Sequence, residues 1–162
     1  MAVLVNATVS EGMTQANDVQ NAAREAAMRA IVLNGATDAD IDVAFATLTQ
    51  QRIGALLVGA DQFLDTRRDR IVALAARHSI QAIYHWREFV VIGGLMSYGA
   101  SQANAYRQVG VYTGRILKEE KPGDLPVLQS SKFEFVINLQ TARALGIEVP
   151  NSIQLLADEV IE

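Results

Sequence analysis

The sequence contains no cysteine. Disulfides, thiolate nucleophiles and cysteine-held metals are excluded, although no compartment follows from that absence. Proline is scarce, at 3 residues in 162, and tryptophan occurs once, as Trp86. No window approaches the roughly 20 apolar residues that a membrane-crossing helix needs, and no signal peptide is recognisable. Basic charge is not in excess. Lys and Arg number 14 against 18 Asp and Glu, a net charge of −4, which gives nucleic-acid binding no support. The dense basic run "TRRDR" at 66–70 lies in a helical pattern and reads as a solvated face.

Phosphate-binding and catalytic signatures are missing too. The stretch after the first apolar run, "VNATVSEGMT", has one glycine, so it meets neither the dinucleotide fingerprint nor the P-loop pattern. The two histidines, His78 and His85, lack metal-ligand spacing. His78 falls near a helix C-terminus, where it serves as a dipole partner. His85 lies in "YHWREF", just past a strand, where a ligand-facing role competes with a structural one. No Ser-His-Asp set can be assembled. The sequence therefore predicts no catalytic residue, no metal site and no cofactor.

What is present is an alternation. "AVLVN" (2–6), "AIVL" (30–33), "ALLVGA" (55–60) and "QAIYHW" (81–86) are short β-rich runs. Helical patterns separate them. The first runs from a cap at Thr14 to Met28 on an alanine face of Ala22, Ala23, Ala26 and Ala27. The second follows a capping box at Thr37 and Asp40 and carries Ile41, Ala44, Phe45 and Leu48. The third opens at Asp61 and buries Leu64, Ile71, Leu74 and Ala75. Strand, helix, strand through residue 90 means a mostly parallel sheet covered on both faces, an α/β three-layer Rossmann-like lobe.

After residue 92 the pattern changes. "GGLMSYG" offers one more short strand, and Ser101 caps a helix to Lys118. That helix keeps Gly110 and Gly114, each costing about 1 kcal/mol relative to alanine. "KPGDLP" is a loop, and "KFEFVINL" (132–139) alternates as a strand with one more polar face. A short helix over 141–145 ends at Gly146. Ser152 caps a last helix carrying Ile153, Leu156 and Val160.

Ligands of open α/β sheets sit outside the carboxyl ends of the strands. Those ends carry Asn6 to Ser10, Asn34 to Thr37, Asp61 and Gln62, and Tyr84 to Glu88. Hydrogen-bonding side chains with Tyr84 and Trp86 among them suit a small polar or aromatic solute. The competing reading is loop chemistry, since Asn, Thr and Asp also cap the following helix.

"GGLMSYG", the helix with Tyr106 and "GRILKEEKPGDLPV", and "KFEFVINLQTARALGIEVPNSIQLLADEVIE" closely resemble the C-terminal half of bacterial ABC-transporter substrate-binding proteins. The subgroup is the one with tryptophan- and tyrosine-binding members. "AVLVN", "IDVAFATL", "ALLVGAD" and "RRDRIVALAARHSIQAIYHWREFV" fit the same template in order.

The resemblance implies a periplasmic-binding-protein type I-like fold: two α/β lobes, joined by three crossings, closing over a small-molecule solute. An amino acid is the leading candidate. It implies an ABC permease as partner and a periplasmic or extracytoplasmic setting, with no chemical step. Residues 1–92 would be the second lobe, 93–122 a crossover strand and helix of a first lobe absent from this chain, and 123–162 the return. Solute-binding candidates are Asn6, Ser10, Asp61, Tyr84, Trp86 and Tyr98. An alternative on the same fold is the ligand-sensing effector domain of a regulator. With the first lobe absent, Tyr106, Val109, Thr113, Ile116 and Leu117 leave one helix side uncovered, and the expectation is a homodimer through residues 94–120.

Overall fold

The computed structural model describes residues 1–128 and 132–162. Residues 129–131, inside the predicted return segment, lie outside the described residues. Seven strands form one sheet in the order β2-β1-β3-β4-β5-β6-β7. They are β1 (Ala2–Val5), β2 (Ile31–Asn34), β3 (Ala55–Val58), β4 (Gln81–Tyr84), β5 (Met96–Ala100), β6 (Phe133–Asn138) and β7 (Glu159–Ile161). Every neighbouring pair is parallel except β5 and β6, which run antiparallel with Met96 opposite Ile137 and Ala100 opposite Phe133.

The central strand β1 is sealed on both faces, and all four of its residues are buried. Its alternation divides the core. Ala2 and Leu4 enter the larger cluster with Leu33, Phe45, Leu48, Leu56, Ile71 and Phe89. Val3 and Val5 face the other way, onto Ala16. The larger cluster is built with helices α2 (Asp38–Gln50), α3 (Gln62–Thr66) and α4 (Arg68–Arg77), the smaller with α1 (Ser10–Glu25). The sheet thus has cover on two sides, as the alternation predicts.

Local signals were followed where they were strong. Thr37 caps α2, accepting from the Asp40 amide at 3.1 Å while its hydroxyl donates to the Asp40 carboxylate at 2.8 Å. Ile41, Ala44, Phe45 and Leu48 are the buried residues of that helix, as the spacing requires. Asp61 caps α3. The third helical pattern is interrupted at Arg67, so it forms two helices.

Other expectations are corrected. Helix α1 begins at Ser10 and not beyond Thr14, whose hydroxyl instead donates to the Ser10 carbonyl one turn back. Its buried residues are Gly12, Ala16 and Ala23, so Ala22, Ala26 and Ala27 are surface. Leu139 opens helix α7 (Leu139–Ala144), capped by Asn138. The final segment forms helix α8 (Asn151–Gln154) behind Pro150 and then strand β7, with Val160 paired to Ile137. Residues 96–100, assigned from sequence to the other lobe, are an internal strand of this sheet, bonded to β4 and β6. Helix α5 (Arg87–Val91) stands between β4 and β5.

Helix α6 (Gln102–Ile116) is different in kind. Ser101 caps it, accepting from the Asn104 amide at 3.5 Å, yet no residue of the helix is buried. Tyr106 is 73% exposed and Leu117, just beyond, 79%. A β-carbon added at Gly110 or Gly114 would meet nothing. The helix leaves from the end of β5, and Lys132 re-enters beside it: the Ser101 amide donates to the Lys132 carbonyl at 2.9 Å.

Strand β7 is held from the side by Arg87, which meets Glu159 in a bidentate pair at 2.5 and 2.6 Å. The pair is only part-buried, so its worth is about 0.2–1 kcal/mol. The Arg87 guanidinium holds the Glu159 carboxyl below the usual glutamate range. Its stabilisation is thus present above the ordinary glutamate pKa and lost as pH falls through the lowered one. Glu159→Gln should lower stability in urea titrations by less than about 1 kcal/mol at neutral pH. The difference from wild type should close in high salt and as pH falls through the lowered Glu159 pKa.

Candidate functional site

The sheet order reverses at β1: the chain moves outward to β2, then crosses back to β3. Such a switch point opens a crevice between the carboxyl ends of the two diverging strands. Here those ends are β1 and β3. Asn6 leaves β1 and Asp61 follows β3, and the Asn6 amide Nδ2 donates to Asp61 Oδ2 at 3.2 Å across the gap. Asp61 Oδ1 accepts the Phe63 and Leu64 amides at 2.9 and 3.1 Å. Asn6 Oδ1 accepts the Thr8 amide at 3.1 Å and the Thr8 hydroxyl at 2.6 Å. Both candidates are therefore deeply committed to the loops they start. They shape the crevice floor.

Two features hold that floor in place. Gln15, on α1, clasps Ala60 at both ends: Oε1 accepts the Ala60 amide at 2.8 Å, and Nε2 donates to the Ala60 carbonyl at 2.9 Å. Gly12 lets α1 lie directly on β1, since a β-carbon there would stand 2.0 Å from the Asn6 carbonyl oxygen. Beside them, Asn34 at the end of β2 accepts the Ala7 amide at 3.1 Å.

The exit of β4 separates its aromatics. Tyr84 is buried, and its ring stacks on Phe89 with centroids 4.6 Å apart. Burial pushes its phenol above the ordinary tyrosine range. Strand alternation explains this placement: Ala82 and Tyr84 share the core face. Tyr84 as a solute-facing residue is corrected to a core residue.

Trp86, two residues on, is only half-buried and lines two cavities. One, of about 280 Å³, is completed by Arg87, Glu88, Ala100, Gln102, Ala103 and Glu134. The other, of about 290 Å³, is completed by Gln62, Asp65, Thr66, Arg68 and Asp69. Trp86 is the wall they share.

Behind Trp86 lies a contact that sequence spacing did not suggest. His85 Nε2 is 3.0 Å from Asp65 Oδ1, with both side chains largely covered. The atoms are within ion-pair range, but they are not aligned as a hydrogen bond. Asp65 Oδ1 and both ring nitrogens have no hydrogen-bond partner among the described residues. Burial, with the Asp61 charge second, pushes the Asp65 carboxyl up to about 6. Burial also holds the His85 imidazole below its ordinary value.

The remaining candidates spread outward. Ser10 is exposed at the start of α1, its hydroxyl on Glu11 at 2.9 Å. Tyr98 is 58% exposed on β5 and stacks on Phe133 at 5.6 Å, so it lies along the β5–β6 ribbon. The structure thus brings Asn6 and Asp61 together and puts Trp86 on the same sheet edge. Ser10 flanks that edge, and Tyr84 leaves the set. Gln15 and Asp65 join it. Asp65 was detectable in principle, standing one helical turn after the cap Asp61. Gln15 had no sequence signal.

No group of His, Cys, Asp and Glu suited to a metal ion occurs among the described residues. No helix among them is long and apolar enough to cross a membrane.

The family model for "ABC transporter substrate binding protein" matches residues 1–161. None of the curated proteins matches the chain. Among solved structures, an ABC domain in complex with L-Trp from Streptococcus pneumonia superposes with a TM-score of 0.85 at 24% identity, covering 99% of this chain and 54% of its own. A conserved domain protein from Vibrio cholerae gives a TM-score of 0.84 at 18% identity, covering 98% and 53%. A substrate binding protein with adhesive properties from Clostridium difficile, ligand-free and open, gives 0.71 at 19% identity, covering 99% and 53%. The chain spans about half the length of these structures.

Gly12 and Gly99 each lie against the backbone of a strand exit. Gly12 abuts the Asn6 carbonyl, and a β-carbon at Gly99 would stand 2.0 Å from the His85 carbonyl oxygen. Each obstacle is backbone and cannot swing aside. Gly12→Ala and Gly99→Ala should each cost about 1–3 kcal/mol or more in chemical unfolding. Gly110→Ala, in open space, should cost nothing and gain up to about 1 kcal/mol of helix propensity.

Proposed function

The chain belongs to the ABC transporter substrate-binding protein family, and from that premise we propose that it is the solute-holding C-terminal portion of an ABC importer. The solute sits in a cleft between this lobe and a second α/β lobe. The observation that carries this reading is a coincidence of edges. The polar row Asn6, Asp61, Asp65 and Trp86 lies at the carboxyl end of the parallel strands. Segment 101–132 leaves and returns at that same end. A second lobe carrying α6 would therefore stand over the row. Lobe closure around a bound solute would be a hinge motion.

The proposed solute is an amino acid with an aromatic side chain. Trp86 offers an indole wall beside cavities of about 280 and 290 Å³, and the similar Streptococcus structure holds L-Trp. Aromatic faces pair in offset or edge-on geometry for about 0.5–1.5 kcal/mol beyond area burial. Asn6 and Asp61 set the floor, with Ser10 and Tyr98 at the flanks. Delivery to an ABC permease outside the cytoplasmic membrane completes the role, and no chemical step is involved. Reading the lobe as the effector domain of a regulator has no distinguishing feature in its favour.

Calorimetric titration of the chain fused to a first lobe is the test. Aromatic amino acids should bind, and Trp86→Ala should weaken them by about tenfold while leaving the fold intact. Absence of heat across all amino acids would count against the reading.

The chain on its own leaves the α6 side uncovered, with Tyr106, Val109, Ile116 and Leu117 exposed. Burying side chains of this size is worth about 1.5–3 kcal/mol each. The proposal for the isolated chain is a homodimer through residues 94–120. Light scattering at micromolar concentration should give twice the 17.6 kDa chain mass, and Leu117→Lys should return it to the monomer. A monomer in the unmutated chain would refute the pairing.

A further inference from the structure

The buried pair behind Trp86 does nothing for the fold that an apolar pair would not do better. Polar atoms sealed from water without aligned hydrogen bonds are costly. Asp65 reaches from α3 and His85 from the end of β4, and they meet at 3.0 Å. The ring of His85 also touches both aromatic neighbours, with its centroid 4.7 Å from Trp86 and 5.7 Å from Phe89. Phe89 is fully buried and fixed by Tyr84, so it is a stop. Trp86 is half-buried and adjoins two cavities, so it is the neighbour with room to respond.

The charges around the pair favour an added proton. Asp61 from the α3 cap, Arg68 from α4 and Glu88 from α5 face Asp65, and Glu88 also faces His85. The Val58 carbonyl at the end of β3 is the remaining polar group acting on the ring. Counting Asp65 itself, three carboxylates stand against one guanidinium. The surroundings thus carry net negative charge, which a proton added to the pair would reduce.

We propose that Asp65 and His85 are a proton-linked positioning pair for Trp86, one shared proton setting how the indole divides the two cavities. The inference rests on the solute-site reading only for its consequence, a pH-dependent solute affinity. The titration itself needs no solute. With the proton absent, a carboxylate abuts a neutral ring that is turned off the hydrogen-bond line. With it present, ring nitrogen and carboxyl oxygen share it along the line between them, and the ring rotates into that line. The Trp86 indole, packed at a tilt of 48° on that ring, moves with it.

Burial raises the Asp65 carboxyl and lowers the His85 imidazole. Two titratable groups in contact at 3.0 Å take up a proton as a pair and not singly.

Trp86 is the single tryptophan and His85 one of two histidines, so the chain carries its own reporter. Indole emission of the 162-residue chain, followed from about pH 8 to about pH 5, should change in one single-proton step. His85→Gln should abolish the step, and Asp65→Asn should abolish it or shift it, with circular dichroism checking the fold. His78→Gln should leave it in place, since His78 packs instead beside Thr49 and Phe45.

Proton NMR of the unmutated chain gives a second reading. The His85 imidazole resonance should titrate in step with the emission. Flat emission over this range, or a step that survives His85→Gln in a folded variant, would overturn the proposal. Loss of solute binding with the step intact would instead count against the solute-site reading alone.

Discussion

One carboxylate ties the upper edge of the sheet together. Asp61 caps α3 through two backbone amides and receives the Asn6 amide from the neighbouring strand exit. It joins the end of β3, the end of β1 and the start of a helix in one set of hydrogen bonds. The orphan amides of a helix start need such a partner. Its charge also acts one turn along, on Asp65, and adds to the burial that raises the Asp65 carboxyl. Capping, crevice shape and the electrostatics of the site are thus three effects of one side chain.

The floor is held both by side-chain hydrogen bonds and by direct backbone contact. Gln15 reaches 45 residues along the chain to bond both polar groups of Ala60, in the manner of a neighbouring strand. Gly12 and Gly99 bring backbone against backbone at the two sides of the edge. Pre-formed sites of this kind lose less ordering entropy on binding. Trp86, by contrast, has no side-chain capping role at the start of α5, and space on either side of it.

The fold was legible in the sequence wherever local chemistry and tertiary demand agreed. The capping box at Thr37 and the helical spacing of Ile41, Ala44, Phe45 and Leu48 both persist, because the same residues satisfy the helix and the core. Helix α1 was misplaced because its N-cap is Val9, which offers no side-chain acceptor, while the Gly12 contact with Asn6 draws the helix close to the strand. Strand β7 was unreadable, since three residues acquire their conformation from β6 beside them. Asn6, Asp61 and Trp86 were visible as strand exits. Tyr84 was misjudged because it is the last residue of its strand and faces inward. The Asp65–His85 contact joins positions 20 residues apart, and only the assembled sheet reveals it.

The antiparallel ribbon of β5 and β6 has a mechanical meaning. Everything between Ala100 and Phe133 is joined to the sheet by two strands bonded side by side, with Ser101 and Lys132 forming the rung at the exit. Paired strands resist sliding along their length, because sliding breaks their ladder, and yield more easily to bending across the ribbon. Under the proposed two-lobe reading, a body mounted there would swing about an axis lying across the ribbon, toward or away from Trp86, and keep its register along the strands.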